Sequence, residues 1–375
     1  MLSGTGDALL PAMSEWSSSD LARMLARVEP GSEVVEVTLL NPDAGQAAAT
    51  RKAVGYGEPL KIRVRKQGVE RTLVLHTAST NAFGHDRRAD RAASMLLAFD
   101  TFASIAQHVT ALDVGAITSD GKALVSLGST SEFYLLTQWA EGHVYADELR
   151  ALGERGVLSE TDRSHCLGLA RYLANLHQTP LSGDIAYRRA IRDLLGSGEG
   201  IFGIIDGYPA NVSEASPARL RGIEERCLEW RWRLKDRTRR LRRTHGDFHP
   251  FNIVYDERGA LTLLDTSRGS VGDPADDVAC LAINYIFFAL DRADAWANAF
   301  KALWYEFWTS YEAEAHDPEL RACVAPFLAW RGLVLANPVW YASVSARARD
   351  RLLTFVERTL DAERFAPELA EEVFT

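Results

Sequence analysis

The sequence is poor in cysteine, and its four cysteines are not arranged for metal binding or for disulfide pairing. They are scattered along the chain without a CxxC or Cys/His spacing, so we predict neither a zinc site nor a disulfide framework. No apolar run approaches the roughly 20 residues that a membrane helix needs. The first residues also lack the basic segment of a secretory signal. These absences predict a cytoplasmic protein that has no membrane partner.

Basic residues do not predominate either, since 42 Lys and Arg stand against 51 Asp and Glu, for a net charge of −9. Binding to nucleic acid needs a basic face, so we expect no nucleic-acid partner. The Arg-rich end of a long charged helix, predicted over residues 218–243, is interpreted as a solvated face because few aromatic residues accompany it. The 375 residues are 47% hydrophobic, which suffices for two or three compact units, each with a core.

The first third of the chain predicts a small, mainly β unit. Residues 1–18 are expected to be loose, and a short amphipathic helix is expected before Pro30. Val35, Val37 and Leu39 alternate with polar residues, which predicts a strand with these three side chains on one face. The further predicted elements are a hairpin over 61–75 that turns at 66–68, a helix over 88–102, and strands over 124–127 and 133–136.

The rest of the chain predicts mostly helices. Ser159 and Asp162 form a capping box at the start of a helix that runs to His177. Two short strands, over 253–255 and 261–264, flank a turn, and the tail from about residue 278 is helical and rich in Trp and Tyr. We therefore predict an α+β fold with a smaller unit over 1–136, a connector over 137–142 and a larger unit over 143–375.

One segment carries the chemistry: His245-Gly246-Asp247, then Asn252, then Asp265 after one hairpin. A hairpin of that length can bring the Asp247, Asn252 and Asp265 side chains around one small volume. Mg²⁺ takes oxygen ligands, so Asn252 and Asp265 can hold it against nucleotide phosphates. Asp247 can then accept a hydrogen bond from a substrate hydroxyl and orient it toward the γ-phosphorus.

These residues resemble a known family. The pattern His-Gly-Asp-x-x-x-x-Asn, followed by Asp-x-x-Arg, is similar to that of aminoglycoside phosphotransferases and choline kinases. The resemblance implies a bilobal protein-kinase-like fold, with a small antiparallel-β nucleotide-binding N-lobe and a larger, mostly helical C-lobe that carries catalysis and substrate binding. It implies Mg²⁺ as cofactor and ATP or GTP as co-substrate. The implied roles are Asp247 as catalytic base, Asn252 and Asp265 as metal ligands, and His245, Arg268 and Asp277 as supporting residues.

The resemblance also implies a nucleotide site at the connector and in the N-lobe. The Gln138 carbonyl and the Ala140 amide would bond the adenine edge, and Gly55 and Gly57 would let the backbone approach the phosphates. His76 occupies the position at which this fold normally carries a phosphate-binding lysine. Two interpretations of His76 stay open, a cation beside the phosphates and a surface residue at the end of a strand; Lys52 or Arg51 could supply a substitute cation.

The resulting hypothesis is a small-molecule kinase that transfers the γ-phosphate of ATP or GTP to a substrate hydroxyl. The acceptor is not identified by the sequence, and an amine-bearing alcohol is the first candidate. Two alternatives remain: a catalytically silent, kinase-like nucleotide-binding or regulatory protein, which the His76 substitution motivates, and a kinase-fold enzyme that transfers AMP. Protein-kinase activity is a weaker option, because Gly246 stands where protein kinases carry Arg and no Ala-Pro-Glu motif follows Asp265.

Overall fold

A computed structural model describes residues 21, 25–26, 29–39, 59–81, 83–104, 109–118, 123–130, 135, 137–266 and 268–374. The chain divides into two compact units, Met1–Thr137 and Gln138–Thr375. The segment 1–18 lies outside the described residues, as do three of the four residues of the strand predicted over 133–136. Of the helix expected before Pro30, Leu21 and Leu25 are described; both are helical and buried.

The smaller unit is built on an antiparallel sheet in the order β1–β2–β3. Its elements are β1 (Glu33–Leu39), β2 (Leu60–Lys66), β3 (Val69–Leu75), α1 (Arg88–Phe102), β4 (Gly115–Ile117) and β5 (Leu124–Ser126). The hairpin between β2 and β3 turns at Gln67 and Gly68, both with positive φ, as a two-residue turn of primed type requires. The buried face of β2 forms the centre of the unit's core, which confirms the predicted alternation.

The face predicted for β1, with Val35, Val37 and Leu39 together, is confirmed only at Val37. Val34 and Val37 contact the core, whereas Leu39 is 50% exposed. The pairing of β1 with β2 shifts register between Val34 and Glu36. An extra residue at such a bulge reverses which side chains point inward, so strict alternation fails there.

The larger unit is mainly helical. Its α-helices are α2 (Tyr145–Arg155), α3 (Glu160–His177), α4 (Asp184–Gly196), α5 (Ile201–Asp206), α6 (Pro217–Leu234), α7 (Ala275–Phe287), α8 (Ala293–Ala295), α9 (Lys301–Ala315), α10 (Ala325–Ala336) and α11 (Ala346–Asp361). The capping box of Ser159 and Asp162 at the start of α3 is confirmed. One large hydrophobic cluster joins these helices. None of the helices in the described residues is long and apolar enough to cross a bilayer.

Short strands support the loops between α6 and α7. They are β6 (His143–Val144), β7 (Arg242–Arg243), β8 (Ile253–Tyr255), β9 (Leu261–Leu263) and β10 (Val271–Gly272). β6, β8 and β9 form one antiparallel sheet, and β7 pairs with β10. The predicted hairpin of β8 and β9 is confirmed.

The helix predicted over 218–243 ends earlier than expected. α6 stops at Leu234 because its buried apolar residues, spaced three and four apart, stop there; they are Leu220, Ile223, Cys227, Trp230 and Leu234. The following residues form a 3₁₀ turn, Thr238–Arg240, and then β7. The interpretation of the Arg-rich end as a solvated face is wrong for Arg240, which is 4% exposed and pairs with Asp273 and Asp317.

Candidate active site

Backbone pairing brings Asn252 and Asp265 together, and a side-chain hydrogen bond joins Asn252 to Asp247. Ile253 pairs with Leu263 in the hairpin, and the Leu264 amide donates to the Asn252 carbonyl at 2.9 Å, so Asp265 follows directly beside Asn252. The Asn252 side chain donates through Nδ2 to the Asp247 carbonyl at 3.0 Å. All three residues therefore lie at one end of the β8–β9 hairpin, within the larger unit.

The backbone of Asp265 adopts an unusual conformation. Its φ is +45°, in the left-handed region that aspartate tolerates better than larger side chains do. The residue is exposed. Backbone strain of this kind is concentrated at functional sites, so this outlier supports a functional role for Asp265.

The two oxygens of the Asp247 carboxylate have different surroundings. Oδ1 accepts from Arg331 Nη1 at 2.9 Å and from Arg268 Nη2, and the Cys280 thiol lies 3.8 Å from it. Oδ2 faces His249 Nε2 at 3.5 Å. Burial raises the pKa of Asp247, but the His249 contact and the two arginine charges outweigh burial and hold the pKa well below its usual value. Asp247 is therefore a carboxylate at neutral pH.

Asp277 holds the backbone that precedes Asp247. Its carboxylate accepts from the His245 amide at 2.7 Å and from the Gly246 amide at 2.8 Å. His177 Nε2 lies 3.1 Å from the same carboxylate. Burial raises the pKa of Asp277, yet these partners lower it overall, so the group stays charged in the core. A buried carboxylate with this many donors fixes the loop in one position.

Gly246 occupies a position that no other residue fits. Its φ is +83°, and a Cβ there would lie 2.6 Å from the Gly269 carbonyl oxygen. The Arg268 guanidinium donates from Nε to the Gly246 carbonyl at 2.9 Å. This close approach lets the segment after Asp265 contact the segment before Asp247. His245, Arg268 and Asp277, the predicted supporting residues, all lie in this arrangement.

Sequence reasoning missed Arg331, which contacts Asp247 from α10. A signal was present, because Arg331 is the one charged residue in the twelve-residue apolar helix Ala325–Ala336. A charge placed in a buried helix has to be paired, so its presence predicts a carboxylate nearby. Trp330, the residue before Arg331, is buried and lies beneath the guanidinium groups of Arg268 and Arg331.

The residues expected to bind nucleotide are described only in part. His76 is exposed and lies one residue beyond β3. Gln138 is exposed and Ala140 is half-buried, both in the stretch without regular structure before β6. Gly55 and Gly57 lie outside the described residues. The roles assigned to these five residues stay predictions.

The donor set at the hairpin fits Mg²⁺. No group of three or more His, Cys, Asp or Glu side chains able to hold a metal occurs in the described part of the chain. Mg²⁺ does not need one, since it is commonly bound by one or two protein oxygens together with substrate phosphates. Asn252 directs its Nδ2 group to the Asp247 carbonyl, which leaves Oδ1 as the atom suited to a cation, and Asp265 adds a carboxylate.

A family model described as "Phosphotransferase enzyme family" matches residues 64–318, more than half of the chain. The chain belongs to this family. The match includes Asp247, Asn252 and Asp265, and it confirms the resemblance stated from the sequence. The expected α+β, kinase-like fold class of this phosphotransferase family is confirmed as well.

Similar solved structures include several phosphotransferases. A glucosamine kinase in complex with glucosamine, ADP and inorganic phosphate is 17% identical, with a TM-score of 0.41, over 56% of this chain and 58% of its own. A thermostable aminoglycoside phosphotransferase mutant is 16% identical, with a TM-score of 0.36, over 91% and 98% of the two chains. The choline kinase of Streptococcus pneumoniae is 12% identical, with a TM-score of 0.31, over 95% of each. This chain thus spans less than two thirds of the glucosamine kinase, and no curated protein sequence gives a significant match.

Proposed function

We propose that this chain is a small-molecule kinase that transfers the γ-phosphate of ATP to a hydroxyl group, with Mg²⁺ as cofactor. The observation that supports it best is the Asp247 carboxylate, one of whose oxygens is held by two arginines and whose pKa its partners lower. Asn252 donates to the Asp247 backbone carbonyl, and Asp265 follows the strand that pairs beside Asn252. Phosphoryl transfer needs positioning and charge stabilisation more than covalent chemistry, and this arrangement supplies a fixed acceptor for a hydroxyl proton.

In the proposed reaction, the acceptor oxygen forms a bond to the γ-phosphorus while the bond from that phosphorus to the bridging oxygen breaks. ADP leaves, and the hydroxyl proton passes to Asp247. Because the partners of Asp247 lower its pKa, its main contribution is to orient the hydroxyl, and the proton arrives late. Bound Mg²⁺ would supply charge neutralisation on the phosphates. Asn252 and Asp265 are the residues proposed to hold it, with Asp277 bracing the loop.

The nucleotide site is proposed from the family pattern. Gln138 and Ala140 would bond the adenine edge, and Gly55 and Gly57 would lie against the phosphates. His76 would take the place of the lysine. ATP is the first co-substrate to test and GTP the second. The four cysteines are buried free thiols, which supports the cytoplasm as the compartment.

The test is ADP release from MgATP in the presence of candidate acceptors, namely glucosamine, choline, ethanolamine and an aminoglycoside. Asp247→Asn should lower kcat by about 10²-fold or more, because the amide cannot take the proton, while MgATP binding is retained. Asp265→Asn should weaken the dependence of the rate on Mg²⁺. Asp256→Asn is the matched control: this carboxylate accepts from the Arg258 and Ala260 amides in the turn of the same hairpin and should leave the rate unchanged.

Two results would overturn the proposal. MgATP binding without turnover, with every acceptor and with Asp247→Asn equal to the wild type, would instead favour the silent regulatory alternative that His76 motivates. The mass of the product distinguishes phosphoryl transfer from AMP transfer, since an adenylyl increment on the acceptor would show that AMP is transferred.

A further inference from the structure

Arg331 is an isolated charge on the apolar helix α10, and it contacts two carboxylates, one of them Asp247. It is 8% exposed. Its Nη1 donates to Asp247 Oδ1 and its Nη2 to Asp276 Oδ1, both at 2.9 Å. Burying a guanidinium is costly, and a pair of this kind is weak evidence of a contribution to stability. The position is therefore better explained by what Arg331 does to Asp247.

The pairing of Arg331 is also incomplete. Its Nε is buried without a hydrogen-bond partner among the described residues. Burial further raises the pKa of Asp276, more than the Arg331 charge lowers it. An ion pair selected for stability alone would satisfy every donor, because each buried unpaired group costs free energy. This cost is retained by a residue that contacts both Asp276 and Asp247, and of these two carboxylates only Asp247 belongs to the proposed catalytic machinery.

Arg268 reaches the same oxygen from another segment. Its Nη2 donates to Asp247 Oδ1, and its guanidinium carbon lies 4.5 Å from the centre of the Trp330 ring. The guanidinium carbon of Arg331 lies 3.9 Å from that centre. The indole is fixed in turn, because its Nε1 donates to the Glu199 carbonyl at 2.7 Å. One buried aromatic ring therefore orients both cations.

The two Asp247 oxygens differ in whether they can accept a further hydrogen bond. Oδ1 already accepts from two guanidinium groups and has a thiol beside it, so its capacity for another donor is used. Oδ2, near His249, keeps capacity for a hydroxyl. In-line transfer depends on such placement, since a shift of about 1 Å can cost about 10²-fold in rate.

We propose that Arg331 is a positioning residue that, together with Arg268, holds Asp247 Oδ1 and so directs Oδ2 to the acceptor hydroxyl. This inference rests on the proposed function, in which Asp247 receives that hydroxyl. Arg331 itself is not expected to touch the nucleotide. Its loss should therefore lower kcat and leave the KM for MgATP nearly unchanged.

The experiment measures kcat and both KM values by ADP release from MgATP, with water alone and with the fastest acceptor of the panel named above. Arg331→Met should lower kcat by about 10²-fold, with the KM for MgATP within about twofold. Arg331→Lys keeps the charge but loses the planar pair of guanidinium donors, so its kcat should lie between those of Arg331→Met and the wild type. Because Arg331→Met removes the countercharge of the half-buried Asp276, the double variant Arg331→Met with Asp276→Asn repeats the test in a form that removes this charge.

Arg349→Met is the matched control for stability. Arg349 is equally buried on the neighbouring helix α11, but its guanidinium donates to the Ala336 and Val344 carbonyls. Its replacement should lower stability comparably and keep kcat.

Three results would count against the inference. Equal kcat in the Arg331 and Arg349 variants would show a structural role only. A loss confined to the KM of the acceptor would show that Arg331 binds the acceptor instead. If the wild type neither binds nor turns over MgATP, the proposed function fails and the inference fails with it, whereas wild-type turnover with an insensitive Arg331 refutes the inference alone.

Discussion

Replacing Arg240 by methionine should destabilise the larger unit by about 3–5 kcal/mol, because it leaves a buried carboxylate without its countercharge. Arg240 donates to both oxygens of Asp273 at 2.8 Å and to Asp317 at 2.7 and 2.9 Å. Asp273 is almost fully buried. Burial raises the pKa of Asp273, and Arg240 is the main partner that outweighs burial and lowers it.

The preceding residue offers a matched control. The Arg239 side chain is 79% exposed and pairs with Glu319 at 2.8 Å. Exposed ion pairs contribute about 1 kcal/mol or less, so Arg239→Met should be close to neutral. The same substitution at two adjacent arginines thus separates a buried ion pair from a solvated one.

A second comparison tests the cause of the loss. Adding Asp273→Asn to Arg240→Met removes the unpaired charge, so the double variant should be more stable than Arg240→Met alone. The amide oxygen introduced by this substitution would still be able to accept from Tyr187, whose hydroxyl donates to Asp273 at 2.8 Å. If the double variant loses as much stability as the two single variants together, the unpaired charge of Asp273 is not the cause of the destabilisation.

The assay is urea unfolding followed by tryptophan fluorescence. Eight of the nine tryptophans lie in residues 138–375, so the signal reports the larger unit. The midpoint and slope give the free energy of unfolding of each variant. A loss below about 1 kcal/mol for Arg240→Met, or equal losses for both arginines, would refute the reasoning.

Two further predictions concern backbone and pH. Gly142→Ala should lower the free energy of unfolding by about 2 kcal/mol or more, because φ is +130° and a Cβ would lie 2.1 Å from the Tyr255 carbonyl oxygen. Gly156→Ala, where φ is +65° and the space around the Cβ is open, should lower it by about 1 kcal/mol. Urea unfolding compares the two variants, and equal losses of stability would contradict this. Asp273 and Asp277 both have pKa values that are lowered in the folded state. Their contribution to stability is therefore complete above the pKa of an unfolded-state Asp, about 4, and is lost as the pH falls below that pKa. A free energy of unfolding that stays constant from pH 5 down to pH 2 would exclude this.

Local patterns predicted the elements whose signals lie within a few residues. The box of Ser159 and Asp162 defined the start of α3, and the spacing of Ile62 and Val64 defined the buried face of β2. The motif from Asp247 to Asp265 predicted the hairpin that sets Asp265 beside Asn252, because a hairpin is a short-range structure whose pairing follows from its length. Local patterns predicted less well which face of a strand is buried and where a helix ends, as the bulge in β1 and the early end of α6 show.

The sequence by itself determined the family and the hairpin that carries Asn252 and Asp265, since each of these depends on neighbours along the chain. The apolar sequence around Arg331 is a local signal of its burial, but only the tertiary structure decided which carboxylates Arg331 and Arg240 meet. Arg331 is 84 residues from Asp247 in the chain, and Arg240 is 33 from Asp273. Contacts over such separations arise from the packing of whole helices, and no local pattern records them.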